Sequence, residues 1–266
     1  MRIFKFWMKY SRELSINGIK QLSTTYGGSN ISEDEAIKDA ILKLNNAQKR
    51  INGELGRNRD YEADIREEII ETINQDNIIT RNRYGALVLN SKKLMFIDID
   101  EYSSSVSDLI FRRTYSQKQL MLRKIEKTAQ KKDYHQLGFR IYETAKGYRV
   151  LVTNKDFDPR SYESKRMMRD FNADHLYRWL CRKQNCYRAR LTPKPHRINL
   201  KRIKVIFPNR TAVQQQELTN WLHEYELKSQ RSSSCHLVKE IGQVRTNEAI
   251  EYHDRLSGVK WEYNLA

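Results

Sequence analysis

The beginning of the chain alternates apolar and polar side chains. Residues 2–10 place apolar groups between basic ones, and a second extended stretch runs from Gly18 to Tyr26. Alternation with a period of two is typical of a half-buried strand. Gly27 and Gly28 interrupt the second stretch, and glycine pairs commonly mark turns. The pattern therefore predicts a β-hairpin at the start of the chain.

Helical spacing follows this hairpin. Ser32 is followed three residues later by Glu35, which is a capping-box pattern. Alanines and leucines then recur at helical spacing to about Ile51, so we predict a helix over 32–51. A second helix is predicted over about Tyr61–Asn74, where isoleucines recur at every fourth position.

The rest of the chain mixes extended and helical patterns. Extended runs at 83–90 and 93–100 are separated by Asn90 and Ser91, which predicts a second hairpin. The later predicted elements are a basic helix at 106–132, a hairpin formed by 138–144 and 148–153, a helix at 161–184, strands at 187–191 and 203–207, a helix at 211–227 and a polar tail.

These elements predict an α+β fold, with antiparallel hairpins forming a central sheet and helices packed on it. We divide the chain into an N-terminal αβ unit of a hairpin and two helices (1–90), a unit with an acidic strand and a basic hairpin (91–210), and a C-terminal helix and tail (211–266). Because 266 residues can bury a single core, we expect the three parts to form one compact globular domain.

Charge is the first indication of function. The chain carries 49 Lys and Arg against 33 Asp and Glu, a net charge of +16. Such an excess attracts polyanions, of which nucleic acid is the commonest. An anionic membrane surface or a solvated basic face are the alternatives. Because the basic residues are spread along the chain and not set opposite an apolar helix face, we favour nucleic acid or nucleotide phosphate and expect no membrane partner.

Sequence features also bear on location. No apolar run approaches the ~20 residues of a membrane-spanning helix, and the charged beginning of the chain favours a strand over a signal peptide. The three cysteines, Cys181, Cys186 and Cys235, are an odd number without a secretion signal, which favours reduced thiols. We therefore expect a cytoplasmic protein.

An acidic pair ends the apolar run at 94–100. Because side chains alternate along a strand, Asp98 and Asp100 should share one face while Ile97 and Ile99 stay in the core. Two neighbouring carboxylates repel each other unless a positive group lies between them. A divalent cation bound by carboxylates and substrate phosphates would supply it, and so would ion pairing with Arg or Lys. The motif alone leaves both alternatives open.

Basic residues cluster in two further places. Lys146 and Arg149 lie at or just after the tight turn of the hairpin at 138–153, where they suit a triphosphate or are ordinary solvated cations. Arg81 and Arg83 precede Tyr84 and either contact phosphate beside a stacked base or form a charged strand entry.

Three motifs follow one another in the middle of the chain. Residues 94–100 end in hydrophobic-Asp-hydrophobic-Asp, residues 139–151 form a hairpin with a basic-Gly turn, and residues 187–198 lead from a strand into a Pro-Lys turn. In order and approximate spacing they resemble the catalytic core of archaeo-eukaryotic primases and primase-polymerases. The resemblance covers about 93–207, less than half of the chain.

The resemblance implies a metal-dependent nucleotidyltransferase with a primase-polymerase-like fold, an RRM-like catalytic unit joined to the N-terminal αβ unit. Asp98 and Asp100 would bind Mg²⁺ or Mn²⁺ for two-metal phosphoryl transfer, and Arg149 stands where the family has a phosphate-contacting histidine. These three are the candidate catalytic residues. The candidate contacts to nucleoside triphosphate and to DNA or RNA are basic residues in or near these motifs: Arg81, Arg83, Lys146, Arg188, Arg190, Lys194, His196 and Arg197.

Two departures from the family pattern bear on catalysis. Arginine replaces histidine at 149, and the strand predicted at 203–207, where a third acidic ligand is expected, has no acid. We therefore keep two alternatives to the nucleotidyltransferase, which are a non-catalytic basic nucleic-acid-binding protein on the same fold and a metal-dependent nuclease. The acids that could replace the missing ligand in space are Glu143, Asp156, Asp158 and Asp254.

Overall fold

The computed structural model describes residues 1–56, 63–100, 115–260 and 263–266. The chain begins with the predicted hairpin, in which β1 (Phe6–Ile16) pairs antiparallel with β2 (Ile19–Ser29) along their full length. The predicted helix follows as α1 (Glu33–Ile51), whose N-cap Ser32 accepts a hydrogen bond from the amide of Glu35. Both predictions for this part of the chain are confirmed.

Helix α1 packs closely on the hairpin because Gly27 has no side chain. A Cβ at Gly27 would lie 1.8 Å from the carbonyl oxygen of Ala36 and 2.4 Å from the amide nitrogen of Ala40. The glycine pair therefore does not mark a turn. Its first member lies within β2, where it allows the backbones of strand and helix to approach each other.

Eight further strands form two four-stranded antiparallel sheets. Sheet I contains, in spatial order, β3 (Glu68–Asn74), β4 (Asn77–Arg81), β5 (Leu87–Ser91) and β9 (Tyr187–Arg190). Sheet II contains, in spatial order, β11 (Cys235–Ile241), β7 (Phe139–Thr144), β8 (Tyr148–Val152) and β6 (Phe96–Ile99).

Helices surround these sheets. The other helices of the described ranges are α2 (Gln117–Ala129), α3 (Tyr162–Asp170), α4 (His175–Gln184), α5 (Ala212–Ser229) and α6 (Glu248–Ser257), together with a 3₁₀ helix at Pro195–Ile198. A short parallel pair joins β10 (Ser232–Ser233) to β12 (Asn264–Leu265). None of the helices in the described ranges is long and apolar enough to cross a membrane.

One hydrophobic core cluster joins both sheets. It contains Ile79 and Leu89 from sheet I and Phe96 and Val150 from sheet II, and all of them are buried almost completely. Strand β8 is buried at every position, so it lies at the centre of the molecule. The α+β class with antiparallel hairpins is therefore confirmed, with two sheets in place of the single central sheet that was predicted.

The helix predicted at 61–74 is wrong. Residues 63–67 have no regular structure and Glu68–Asn74 is strand β3, while 61 and 62 lie outside the described residues. A spacing of four places isoleucines on one face of a strand as well as on one face of a helix. Pairing with β4 decides between the two, and its two bulges accommodate the irregular pattern.

The hairpin predicted at 83–100 is also wrong. Strand β5 pairs with β4 and β9, whereas β6 pairs with β8 in the other sheet. The side chain of Ser91 accepts a hydrogen bond from the amide of Leu94, and this bend redirects the chain between the sheets. A short polar break therefore marks a change of sheet here and not a turn.

Three later predictions need correction. The helix at 161–184 is broken at Asn172, whose φ is 58°, so that α3 ends before it and α4 begins after it. Residues 203–207 form no strand, because Ile203 and Val205 pack against Leu218 of α5 instead. The C-terminal tail is ordered and contributes edge strand β11 and helix α6.

Other predictions for this part are confirmed. The hairpin at 138–153 is β7 with β8, the strand at 187–191 is β9, and the helix at 211–227 is α5 with Thr211 as its N-cap. Helix α2 lies within the basic helix predicted at 106–132, of which residues 106–114 lie outside the described residues. None of the three cysteines, all of which lie in the described ranges, forms a disulfide, and all are buried.

The close approach at Gly27 predicts a strong response to a single methyl group. Gly27→Ala should lower the free energy of unfolding by about 2 kcal/mol or more, because the new Cβ must push α1 away from β2. Urea denaturation measures the change. Gly56→Ala is the control, since its Cβ would meet nothing within 4 Å. Equal stability of the two variants would contradict the close packing.

Candidate functional site

A cleft of about 600 Å³ is lined by both sheets and α4. Sheet II contributes the ends of β6 and β8, sheet I contributes residues of β5 and β9, and the segments 82–84 and 194–197 complete the lining. Within the described part of the chain, the charged lining residues are three acids and seven bases: Glu67, Asp98, Asp100, Arg83, Lys146, Arg149, Arg188, Arg190, Lys194 and Arg197.

Most of the residues that the sequence singles out meet in this cleft. The candidate catalytic residues Asp98, Asp100 and Arg149 line it, together with six of the eight candidate binding residues. The other two are Arg81, which lines a neighbouring groove, and His196, which is exposed and outside the lining. Ile97 and Ile99 are buried in the core, so the predicted alternation of the acidic strand is confirmed. The chemical roles of these residues stay predictions.

Asp98 forms an ion pair with Arg149 across two paired strands. The two residues are register partners on β6 and β8. Nε of Arg149 donates to Oδ1 of Asp98 at 2.7 Å, and Nη2 donates to Oδ2 at 3.2 Å. The side chain of Arg149 is only 5% exposed. Burial acts to lower the pKa of Arg149, but the Asp98 carboxylate outweighs this effect and raises it. The guanidinium therefore stays charged.

A chain of buried hydrogen bonds holds this guanidinium through Nη1, the nitrogen that does not bond to Asp98. Nη1 of Arg149 donates to the carbonyl of Arg190 at 2.9 Å and to Nε2 of His253 at 3.3 Å. Because arginine can only donate, Nε2 of His253 must accept. Nδ1 then carries the proton and donates to Asp254 at 2.9 Å. His253 is fully buried on α6, so this helix fixes the arginine from the side away from Asp98.

Further donors hold Asp254 in turn. The hydroxyl of Tyr142 and Nη1 of Arg140 each donate to its carboxylate at 2.8 Å. Both residues lie on β7, so the chain of hydrogen bonds leads from sheet II through α6 and back to Arg149 on β8. Asp254 is therefore occupied as an acceptor and does not line the cleft.

Asp100 has a different environment from Asp98. Asp100 directly follows β6 and lines the cleft. The residue as a whole is exposed to solvent, although its carboxyl group is partly buried. Partial burial of its carboxyl and the neighbouring charge of Asp98 raise the pKa of Asp100, while Lys194 and Lys146 act to lower it. Its carboxyl group therefore faces cations from two sides of the cleft.

Like charges crowd together beside the acidic pair. Burial and the charges of Arg149 and Arg197 lower the pKa of Arg190 to about 10. Burial and the charges of Arg190 and Arg197 also lower the pKa of Lys194. Burial is the largest cause of both shifts and the neighbouring positive charges add to it, so the fold holds these cations close together in a partly buried site. An anion that enters the cleft would relieve this repulsion.

Gly147 is needed for packing at the mouth of the cleft. A Cβ on it would lie 2.0 Å from the carbonyl oxygen of Ile99. The turn between β7 and β8 therefore packs directly on the end of β6. This contact brings Lys146 beside Asp100, so the close approach that glycine permits is between two backbone segments.

Glu67 also lines the cleft, although it was not among the predicted site residues. Its carboxylate accepts hydrogen bonds from the hydroxyl of Thr80 at 2.6 Å and from Nη2 of Arg188 at 2.5 Å. The charge of Arg188, a candidate binding residue, is therefore balanced within the protein. Glu67 was assigned to a predicted helix, which hid its proximity to β9.

The donor set of the cleft does not fit a resident metal ion while Arg149 holds Asp98. Both oxygens of Asp98 accept hydrogen bonds from the guanidinium. None of the acids considered as a third ligand lines the cleft: Glu143, Asp156, Asp158 and Asp254. Within the described ranges, no three His, Cys, Asp or Glu side chains are grouped so that they could hold a metal. The guanidinium supplies the positive charge that this acidic strand requires.

No protein-family model, curated protein or solved structure matches this chain. The proposed function therefore rests on the geometry of the cleft and on its charges. Two features of that geometry carry it, the arginine that is fixed against Asp98 and the crowded cations at Arg190 and Lys194.

The Arg149–Asp98 pair predicts a large loss of stability when only one partner is removed. Asp98→Ala should lower the free energy of unfolding by about 3 kcal/mol, because it leaves a buried guanidinium without its counterion. Adding Arg149→Met should recover part of that loss. Urea denaturation of both variants measures the effect.

The matched control is an exposed ion pair. Glu224→Ala removes the partner of Lys228 on α5 and should change the free energy of unfolding by no more than about 0.5 kcal/mol. If Asp98→Ala cost as little as this control, the pair would not be holding the site together.

Proposed function

We propose that the protein binds nucleic acid through this cleft, which holds phosphate groups of the bound strand or nucleotide. The single observation that supports this proposal most is the crowding of Arg190, Lys194 and Arg197. A fold that holds three cations together in a partly buried site loses stability unless an anion neutralises them. Phosphate groups are the anions that arginine binds with the best geometry.

The charge of the whole chain favours a polymer over a small anion. A net charge of +16 produces a positive field well beyond the cleft. A polyanion interacts with many of these charges at once, whereas inorganic phosphate interacts only with the cleft. A cytoplasmic location is part of the proposal, and three cysteines without disulfides suit it.

In this proposal the cations of the cleft contribute to phosphate binding in different ways. Lys194 and Arg197 lie on or beside the 3₁₀ helix and can turn towards an incoming phosphate. Arg149 is fixed by four hydrogen bonds and sets the shape of the cleft. Lys146 approaches from the β7–β8 turn and places a positive charge beside Asp100.

Nucleotidyl transfer of the primase-polymerase type is the second candidate function. It is favoured by the meeting of Asp98, Asp100, Arg149 and the segment 190–197 in one cleft, which is the combination that the sequence resemblance implies. Such a reaction uses Mg²⁺ or Mn²⁺ to activate the attacking hydroxyl and to neutralise the triphosphate. Asp98 could join in holding these ions only after Arg149 has moved away from it.

The binding proposal predicts that charge removal in the cleft weakens nucleic-acid binding. The double variant Lys194→Gln with Arg197→Gln should reduce the affinity for a single-stranded oligonucleotide about tenfold. The slope of log K against log salt concentration should fall by about one for each cation removed, because fewer counterions are released. Fluorescence anisotropy in a salt series measures both quantities.

Lys131→Gln is the control for this measurement, since Lys131 is exposed and outside the lining of the cleft. It should leave affinity and salt slope nearly unchanged. If the control weakened binding as much as a single substitution in the cleft, the general positive field would explain the binding and the cleft would not.

The second candidate predicts extension of a primed template. The wild-type protein with nucleoside triphosphates and Mn²⁺ should add nucleotides, and Asp100→Asn should reduce the rate by about 100-fold or more. Product length on a denaturing gel measures this. Strong binding without extension would favour the non-catalytic function. Cleavage of the strand that Asp100→Asn abolishes would indicate a nuclease.

A further inference from the structure

We propose that a second groove beside the cleft binds single-stranded nucleic acid that extends out of the cleft. This side groove has a volume of about 660 Å³. It lies between the end of β2, the segments 64–66 and 81–85 and the segment 203–210. The proposal rests on the proposed nucleic-acid binding and adds a site and a ligand form to it.

The side groove and the cleft share one wall. Asn82 and Arg83 line both of them. The turn that carries these residues is firmly held, because the side chain of Asn82 accepts hydrogen bonds from the amides of Tyr84 and Ala86 at 2.9 and 3.2 Å. Gly85 in this turn packs against Trp221, where a Cβ would lie 2.2 Å from the ring. A single strand of nucleic acid that leaves the cleft past Arg83 would therefore enter the side groove directly.

The charge of the side groove suits phosphate groups. Among the residues that the structure describes, its lining contains four arginines, Arg66, Arg81, Arg83 and Arg210, and a single acid, Asp64. Asp64 is already bound to Arg2 and to Lys43 at 2.5 Å each. Arg210 pairs with Glu68, but Arg66 and Arg83 are exposed.

Arg81 strengthens the same argument. Its Nη1 donates to the carbonyl of Gly85, while its Nε is buried without a hydrogen-bond partner. Burial lowers the pKa of Arg81; the carboxylate of Glu68 opposes this effect, and the charge of Arg210 adds to it. Glu68 already forms an ion pair with Arg210, so an anion in the groove would stabilise the two neighbouring arginines further.

The other lining groups suit unpaired bases. The guanidinium of Arg66 lies over the ring of Tyr26 at 3.9 Å, and that of Arg210 lies over Phe207 at 5.5 Å. Ile206 is apolar and 65% exposed in the same lining. Flat aromatic and guanidinium groups beside cations are the usual platform for single strands, because every base has a face that can stack. In a duplex the faces of the bases are already stacked on neighbouring base pairs, so the groove favours a single strand over a duplex.

The experiment compares oligonucleotide lengths. By fluorescence anisotropy, single strands of about 4 nucleotides should occupy the cleft alone, whereas strands of about 12 nucleotides should reach both sites and bind at least tenfold more tightly. Arg66→Gln and Ile206→Asp should each remove most of this gain and leave the short strand unaffected. Both positions are exposed, so the variants should remain folded.

Matched controls separate the groove from general charge. Arg50→Gln removes an exposed arginine, and Ile19→Asp adds an acid at an isoleucine that is 71% exposed; both lie outside the lining of either site. Both control variants should still bind the strand of about 12 nucleotides at least tenfold more tightly than the strand of about 4 nucleotides. If they lost this gain as the groove variants do, the side groove would not be a site.

The outcomes distinguish the two proposals. Absence of binding for every strand would overturn the proposed function itself. If the short strand bound tightly and the long strand bound no more tightly, the proposed binding in the cleft would stand and the proposed site in the side groove would be overturned. A duplex that gained as much as the single strand would overturn the assignment to unpaired bases. A further outcome is that poly-glutamate binds, that Arg66→Gln weakens this binding, and that long oligonucleotides bind no more tightly than short ones. This result would assign the groove to an acidic protein instead.

Discussion

The Arg149–Asp98 ion pair connects most of the elements around the cleft. One guanidinium joins β6 and β8 through Asp98, reaches sheet I through the carbonyl of Arg190, and reaches α6 through His253. A buried charge is tolerated only when its hydrogen bonds are made by the protein. The positions of β9 and α6 therefore both depend on this group, and the two sheets cannot move apart here without exposing it.

The same pair determines what the cleft can do chemically. Neighbouring carboxylates need a positive group, and a metal ion or an arginine can supply it. In this protein the arginine does so for Asp98, while Asp100 faces Lys146 and Lys194. The proposed binding of phosphate would need no change in this arrangement, because the cations already lie close together in the cleft. Catalysis with a metal on both acids would require Arg149 to break its two hydrogen bonds to Asp98, and for this reason we propose binding before catalysis.

Local patterns predicted much of the fold and of the cleft. The alternation at 138–153, the capping pattern at Ser32 and the acidic strand all depend on residues close in sequence, and each was predicted correctly. Pairings between distant segments were not predictable from one sequence. The change of sheet after Ser91, the edge strand β11 and the contact of Arg149 with His253 depend on tertiary packing. Four-residue spacing likewise fits both helix and strand, so β3 was misassigned.

Arg81 and Arg83 lie at the turn that connects β4 to β5 within sheet I, and this turn lines both the cleft and the side groove. Strand β4 ends at Arg81 and the turn at 82–85 follows. Strand β5 comes next and pairs with β9. Because this turn separates the cleft from the side groove, arginines on either side of it belong to two different surfaces that share Arg83. In the proposed binding, a polyanion held at one surface would extend towards the other. The firmly held turn between the two groups of cations is the feature on which we base the proposal of an extended ligand over an isolated phosphate.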